Sequence, residues 1–229
     1  MHAPVHIDIA GLHVDLHDAP RALADLSDLY AEFDARCEEY KSDRVNPHLC
    51  KAGCSHCCKR GAFFAVTLAE AVAWASAVDA LAPDFKSAVL RAARSLLDAQ
   101  TRIFGDNDDP PDIPGRREEA SFSARISRLN RELGPACPLL DGDLCSVYGG
   151  RPMLCRAYGF PVDAYAVKSD AAIAFRSLCH LYEGHALSDY IRADDLKVRL
   201  ADISRRLTAG RHLGRFTSAE AILARLTRA

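Results

Sequence analysis

The sequence predicts a mainly α-helical chain: a single helical domain with a small N-terminal β-hairpin and a loop-rich cysteine region suited to metal binding. Three observations predict it. Apolar residues recur at helical spacing along much of the chain, residues 5–16 alternate with a period of two, and the cysteines collect in two regions of irregular turn chemistry. No strand–helix–strand alternation appears, so a Rossmann or thioredoxin sheet is not expected.

Val5, Ile7 and Ile9, then Leu12, Val14 and Leu16, flank Ala10-Gly11 and read as a hairpin with one apolar face. That register sets His6 opposite Asp15 and Asp8 opposite His13 on the other face. Leu26, Tyr30, Phe33 and Cys37 form a helical stripe, followed by a break over Ser42–Pro47. Thr67 with Glu70 is a capping box opening an alanine-rich helix to about Leu81. Val89, Leu90, Ala93, Leu96, Leu97, Ile103 and Phe104 mark an amphipathic helix closed by Gly105. Asp106–Pro114 is acidic and proline-rich, an expected exposed loop. Phe122, Ile126, Leu129 and Leu133 predict a helix stopped by Gly134. Leu196, Leu200, Ile203 and Leu207 predict another, ended by Gly210. A second capping box, Thr217 with Glu220, starts a C-terminal helix that takes in Ile222, Leu223 and Leu226. No internal repeat is apparent. The domain is expected to span 1–229, with the hairpin and first helix in 1–45, the cysteine core in about 50–180 and C-terminal helices in 190–229.

Composition narrows the function classes. A net charge of −2 gives no sign of a nucleic-acid or anionic-membrane partner, and no apolar run approaches the ~18 residues of a membrane helix. The N-terminus lacks a signal peptide's basic start and apolar core, so the cytoplasm is the expected location. In a reducing compartment, nine cysteines point to metal or redox chemistry rather than disulfides.

The first cluster is Cys50-Lys-Ala-Gly-Cys54-Ser-His-Cys57-Cys58, with Gly53 easing the backbone. Four thiols on a polar loop are soft ligands suited to zinc, an iron–sulfur centre or copper(I). Adjacent Cys57 and Cys58 diverge on any regular backbone, so they are not expected to share one ion symmetrically. The second group is Cys137, Cys145, Cys155 and Cys179, with a turn expected at Asp141-Gly142. Cys37 continues an apolar stripe and reads as a buried core thiol.

Cys50 to Cys58, the apolar stretch after it and Thr67-Leu-Ala-Glu70 resemble the opening of the CxxCxxCC family of zinc- or iron-chelating proteins, also called the YkgJ cysteine-cluster family. The run from Cys137 through Tyr148, Arg151-Pro152 and Cys155-Arg156 to Tyr158-Gly159 resembles its second block, and Cys179 its last cysteine. The first gap holds three residues where the family's name motif has two. The resemblance implies eight cysteine ligands: Cys50, Cys54, Cys57, Cys58, Cys137, Cys145, Cys155 and Cys179. Flagellin lysine N-methylases carry a similar cysteine domain.

Zinc sites usually pair two Cys-x-x-Cys knuckles, and only Cys54-x-x-Cys57 is present. Closely spaced thiols and Cys137-Pro138 are more like iron–sulfur runs, so iron or an iron–sulfur cluster is favoured, with zinc the alternative. The expected role is redox or metal handling. The alternatives are a metal-dependent enzyme related to the flagellin methylases, against which no glycine-rich nucleotide loop is seen, and a zinc-stapled interaction module that binds a protein partner. Cys54-Ser-His-Cys57 also reads as a dithiol redox motif, but without the helix N-terminus and fold that activate such a thiol. His56, His180 and His185 lie near cysteines as replacement ligands or outer-sphere donors. His6, Asp8, His13 and Asp15 read as solvated cross-strand pairs, with a second metal site the alternative. Arg151 and Arg156 are expected to offset thiolate charge, and Tyr148 and Tyr158 to pack.

Overall fold

A computed structural model describes residues 5–42, 53–105, 120–162, 167–169, 172–174, 179 and 189–228. Its architecture is mainly helical, with small antiparallel sheets. Strands β1 (Val5–Ile9) and β2 (Leu12–Leu16) pair as expected, with His6 opposite Asp15 and Asp8 opposite His13. Both turn residues have positive φ, 51° at Ala10 and 78° at Gly11, the twist a two-residue hairpin needs. Ile7, Ile9, Val14 and Leu16 are buried on the inner face.

Helix α1 (Ala19–Ser42) buries Leu26, Leu29, Tyr30, Phe33, Cys37 and Tyr40 along one stripe. It packs on α7 (Asp194–Arg206), whose buried residues are Leu196, Leu200 and Ile203. Three ion pairs lace the two helices: Asp25–Arg206 at 2.7 Å, Glu32–Arg199 at 2.6 Å and Arg36–Asp195 at 2.7 Å. The residue numbers rise on one helix as they fall on the other, so the helices run antiparallel. Hydrogen bonds from Arg206, Arg199 and Arg36 hold the carboxyls of Asp25, Glu32 and Asp195, respectively, below the usual carboxylate range. A lowered carboxyl pKa stabilises the fold above its unfolded value, near pH 4, and that stability is lost as pH falls through the folded value. The urea midpoint of the wild type should therefore exceed that of Arg199→Gln at pH 7, and the difference should shrink below about pH 4 and in about 1 M salt.

Helix α3 (Leu68–Asp79) is apolar nearly all round and sits in the core, burying Leu68, Val72, Trp74 and Val78. The Trp74 indole donates to the Gly150 carbonyl at 3.0 Å. Helix α4 (Pro83–Phe104) is amphipathic, starts with proline in its first turn and ends at Gly105. Phe104, with Phe122, Ile126 and Leu129 of α5 (Ala120–Leu133), joins Phe63 and Ala219 in a second apolar cluster.

The C-terminal segment departs from expectation. Helix α8 (Ser218–Leu223) stops where Ala224 turns extended, with ψ 147°. Arg225–Arg228 is a strand, β9, on the free edge of β1, with Leu226 opposite Ile7. The hairpin is thus the outer part of a three-stranded sheet, ordered β2-β1-β9. Leu226 fits helical spacing after Ile222, but the open edge of β1 supplies backbone partners that a last helical turn lacks.

A short internal repeat also emerges. Ala65-Val-Thr-Leu-Ala-Glu-Ala-Val72 and Arg215-Phe-Thr-Ser-Ala-Glu-Ala-Ile222 each form a strand, a Thr cap and a helix. Strands β3 (Ala65–Val66) and β8 (Phe216–Thr217) pair antiparallel, Val66 opposite Phe216, so the two copies meet about a local two-fold axis. Both capping boxes are complete. Residues 106–119, including the expected acidic loop, lie outside the described residues. No helix among the described residues is long and apolar enough to cross a membrane.

Candidate metal centre

The first cysteine block leads into a short helix, α2 (His56–Arg60), which carries Cys57 and Cys58. Gly53 before it has φ 82°, the left-handed conformation glycine adopts without strain. After α2 the chain runs extended and is tied on both sides. Asn130 of α5 accepts from the Phe63 N–H at 3.0 Å and donates to its carbonyl at 2.6 Å. The Ser218 hydroxyl donates to the Ala62 carbonyl, and the Ala62 N–H donates to Pro135 at 3.2 Å. The block is therefore fixed to α5 and to the second copy of the repeat.

The second block begins two residues beyond Pro135. The Cys137 N–H donates to the Cys58 carbonyl at 2.6 Å, which joins the two blocks through the backbone. Strands β4 (Leu140–Asp141) and β5 (Leu144–Cys145) then fold back, with Cys145 opposite Leu140. The turn residues are Gly142-Asp143, one position beyond the expected turn. That shift aims Asp143 at α2, where its carboxylate accepts from Ser55 Oγ at 2.6 Å and pairs with Lys59 at 2.5 Å. Those partners hold the Asp143 carboxyl below its ordinary range, the hydrogen bond from Lys59 first.

Cys155 sits on α6 (Met153–Ala157). The start of α6 is set by Glu70, whose two oxygens do different jobs. Oε2 accepts from the Thr67 N–H at 2.8 Å and the Thr67 hydroxyl at 3.0 Å, and Oε1 accepts from the Met153 N–H at 2.8 Å. One buried carboxylate thus orients the first turns of both α3 and the cysteine-bearing α6. In the repeat's second copy, Glu220 Oε1 meets Gln100 Nε2 at 3.5 Å instead.

Arg151 and Arg156, expected to act together, part company. Arg156 is buried and pairs with Asp34, donates to the carbonyls of Gly149 and Arg151, and lies 4.2 Å from the Tyr30 ring centre. It locks the turn ahead of Cys155 to α1. The charge of Arg151 reaches Cys145 and Cys155, easing their ionisation. Its guanidinium stacks 3.6 Å from the centre of Tyr148, which is 58% exposed and so does not pack in the core. Tyr158 is half-buried. Burial, then the neighbouring Cys57, Cys155, Cys179 and Cys58, pushes its phenol to about 12.

Seven of the eight candidate ligands are described; Cys50 lies outside the described residues, as do His180 and His185. The thiols of Cys57, Cys137, Cys145 and Cys155 act on one another electrostatically, although no three cysteine sulfurs among the described residues lie within 4.8 Å of one another. Burial pushes Cys137 up to about 11 and raises Cys145 and Cys155, and Cys57 adds repulsion at all three. Cys57 itself is raised first by its hydrogen bond with Cys58, then by burial. Crowded, desolvated thiols resist becoming anions unless a cation joins them, and a bound metal reverses that preference. A raised Cys57 thiol is not the lowered one that the nucleophile of a dithiol pair needs. Cys37 stands apart in the α1 core, its thiol raised to about 12 by burial.

The donor chemistry fits a thiophilic metal. The Sγ atoms of Cys57 and Cys58 are 3.9 Å apart, close to the edge of about 3.8 Å for two sulfurs ~2.3 Å from a tetrahedral ion. Adjacent on α2, the two thiols still come within one ion's reach of each other, where the sequence alone favoured separate roles for them.

Comparison with curated proteins and with solved structures found no match. The model of a protein family does match, over residues 49–180, from just before Cys50 to just past Cys179 and more than half of the chain. That span covers both blocks joined by the Cys137–Cys58 hydrogen bond, and the chain belongs to the CxxCxxCC family, described as "Putative zinc- or iron-chelating domain".

Proposed function

We propose that Cys50, Cys54, Cys57, Cys58, Cys137, Cys145, Cys155 and Cys179 hold iron in a polynuclear, thiolate-bound centre, by preference an iron–sulfur cluster, and that the protein serves a redox or metal-handling role in the cytoplasm. The observation that carries this reading is the mutual electrostatic influence of Cys57, Cys137, Cys145 and Cys155, with Cys58 hydrogen-bonded to Cys57 and the charge of Cys179 felt at Tyr158. Six thiols linked by such influences outnumber the four that a single tetrahedral ion takes. A polynuclear centre uses the excess as further ligands. When bound, an iron–sulfur group supplies one-electron chemistry at a potential set by charge and hydrogen bonding around its sulfurs. Arg151 supplies the nearby positive charge, and the Asp143 clasp on α2 holds the two blocks together.

Full-length protein purified without oxygen should contain iron and acid-labile sulfide in matching amounts and absorb broadly near about 400 nm. Stoichiometric zinc with no visible absorbance would overturn the iron reading and leave a zinc-stapled module that docks a protein partner.

A further inference from the structure

The outer face of the β1–β2 hairpin carries a second donor cluster, made of nitrogen and oxygen rather than sulfur. His6, Asp8, His13 and Asp15 alternate with the buried Ile7, Ile9, Val14 and Leu16, so all four project from the solvent side of the sheet. His13 Nδ1 lies 2.7 Å from Asp8 Oδ1. An imidazole that donates Nδ1–H to a carboxylate keeps its lone pair on Nε2. That Nε2 lies 3.9 Å from Asp15 Oδ1, and the same oxygen is 2.5 Å from His6 Nδ1. The two imidazoles stack with centres 4.9 Å apart and planes at 27°. One nitrogen from each histidine and one Asp15 oxygen thus lie within 4.8 Å of one another.

Cross-strand pairing accounts for the His6–Asp15 and His13–Asp8 contacts, but not for the approach of His13 Nε2 to the Asp15 oxygen that His6 already meets. A cation among those three atoms would use that convergence. Metal–ligand distances of ~2.1 Å place neighbouring N and O ligands about 3.0–3.5 Å apart, between the spacings at this face. Small rotations of partly exposed side chains close the difference. On β9, Thr227 stands opposite His6 and Arg225 opposite Asp8, so the one cation of that strand's outer face falls beside the outer carboxylate and not beside Asp15.

We propose that His6, His13 and Asp15 form a second metal site for a borderline divalent ion such as zinc, with Asp8 orienting His13 from behind. Two imidazoles and a carboxylate leave coordination positions for water or an incoming donor, so the ion is exchangeable. The site shares no residue with the cysteines and does not depend on which metal they take.

The test titrates zinc into the full chain as purified, with whatever metal its thiols already hold, and compares wild type with His13→Gln and Asp15→Asn by calorimetry. The wild type should bind one equivalent more than either variant, or bind that equivalent at least about tenfold more tightly. Zinc should also shift the ring nitrogens of His6 and His13 in the NMR spectrum of the wild type, a readout that needs no variant. Equal stoichiometry and affinity in all three proteins, or zinc that shifts neither imidazole, would overturn the proposal.

Discussion

Cys155→Ser should strip the protein of most of its metal, whereas Cys37→Ala should leave the metal content unchanged. Both residues are thiols raised by burial, but they belong to different environments. Cys155 stands on α6 among Cys57, Cys137 and Cys145, and a serine hydroxyl there is too hard and too weakly acidic to replace a soft thiolate. Loss of a metal-bound thiolate should weaken binding by more than the factor of about 10–100 seen for outer-sphere changes. Because metal binding and folding are linked, the melting temperature of the metal-loaded state should fall with it. Cys37 lies in the α1 stripe with Leu26, Tyr30 and Phe33, and its loss should cost about 1 kcal/mol of packing. Metal analysis and thermal unfolding of the two variants side by side would check both halves. Equal metal loss in the two would mean that the thiols act through folding alone.

Glu70→Gln should be the most damaging conservative change in the capping network. The carboxylate accepts on both oxygens, from Thr67 on one side and Met153 on the other. Glutamine keeps one acceptor oxygen and turns the other into an NH2 group, which must face a buried N–H donor. Leaving such a donor unsatisfied costs about 1–3 kcal/mol, and the lost charge-assisted bond adds to it. A total near ~3 kcal/mol corresponds to a fall of roughly 6–12 °C in melting temperature for a chain of this size. Because Met153 opens α6, metal loading should fall as well. Glu220→Gln is the internal control. Its second oxygen meets the side-chain amide of Gln100 at a long 3.5 Å rather than a backbone N–H at 2.8 Å, so the substitution should cost less and spare the metal. Thermal unfolding and metal content of both variants would decide.

What the sequence made legible was local. The hairpin register followed from period-two alternation around Ala10-Gly11, and both capping boxes followed from Thr and Glu at fixed spacing. Membership of the family was legible because its two cysteine blocks carry long, specific spacings. Features that depend on distant partners were not. Strand β9 was hidden because Leu226 continues a helical stripe, and only the edge of β1, more than two hundred residues away, decides otherwise. The Asp143 clasp on Ser55 and Lys59, and the second hydrogen bond of Glu70, each join residues more than eighty positions apart. The short repeat was detectable in principle by setting one capping box over the other, since Thr-x-Ala-Glu-Ala recurs in both. The separation of Arg156 from Arg151 was not, because Asp34 and Tyr30 reach Arg156 from another helix.

The central claim is that the two blocks close a single polynuclear centre of thiolate ligands. X-ray absorption at the edge of the resident metal, on the full-length protein, tests it most directly. The account predicts a first shell of sulfur at about 2.3 Å together with scattering from a neighbouring metal. A first shell dominated by nitrogen or oxygen, or sulfur ligands with no second metal nearby, would contradict it.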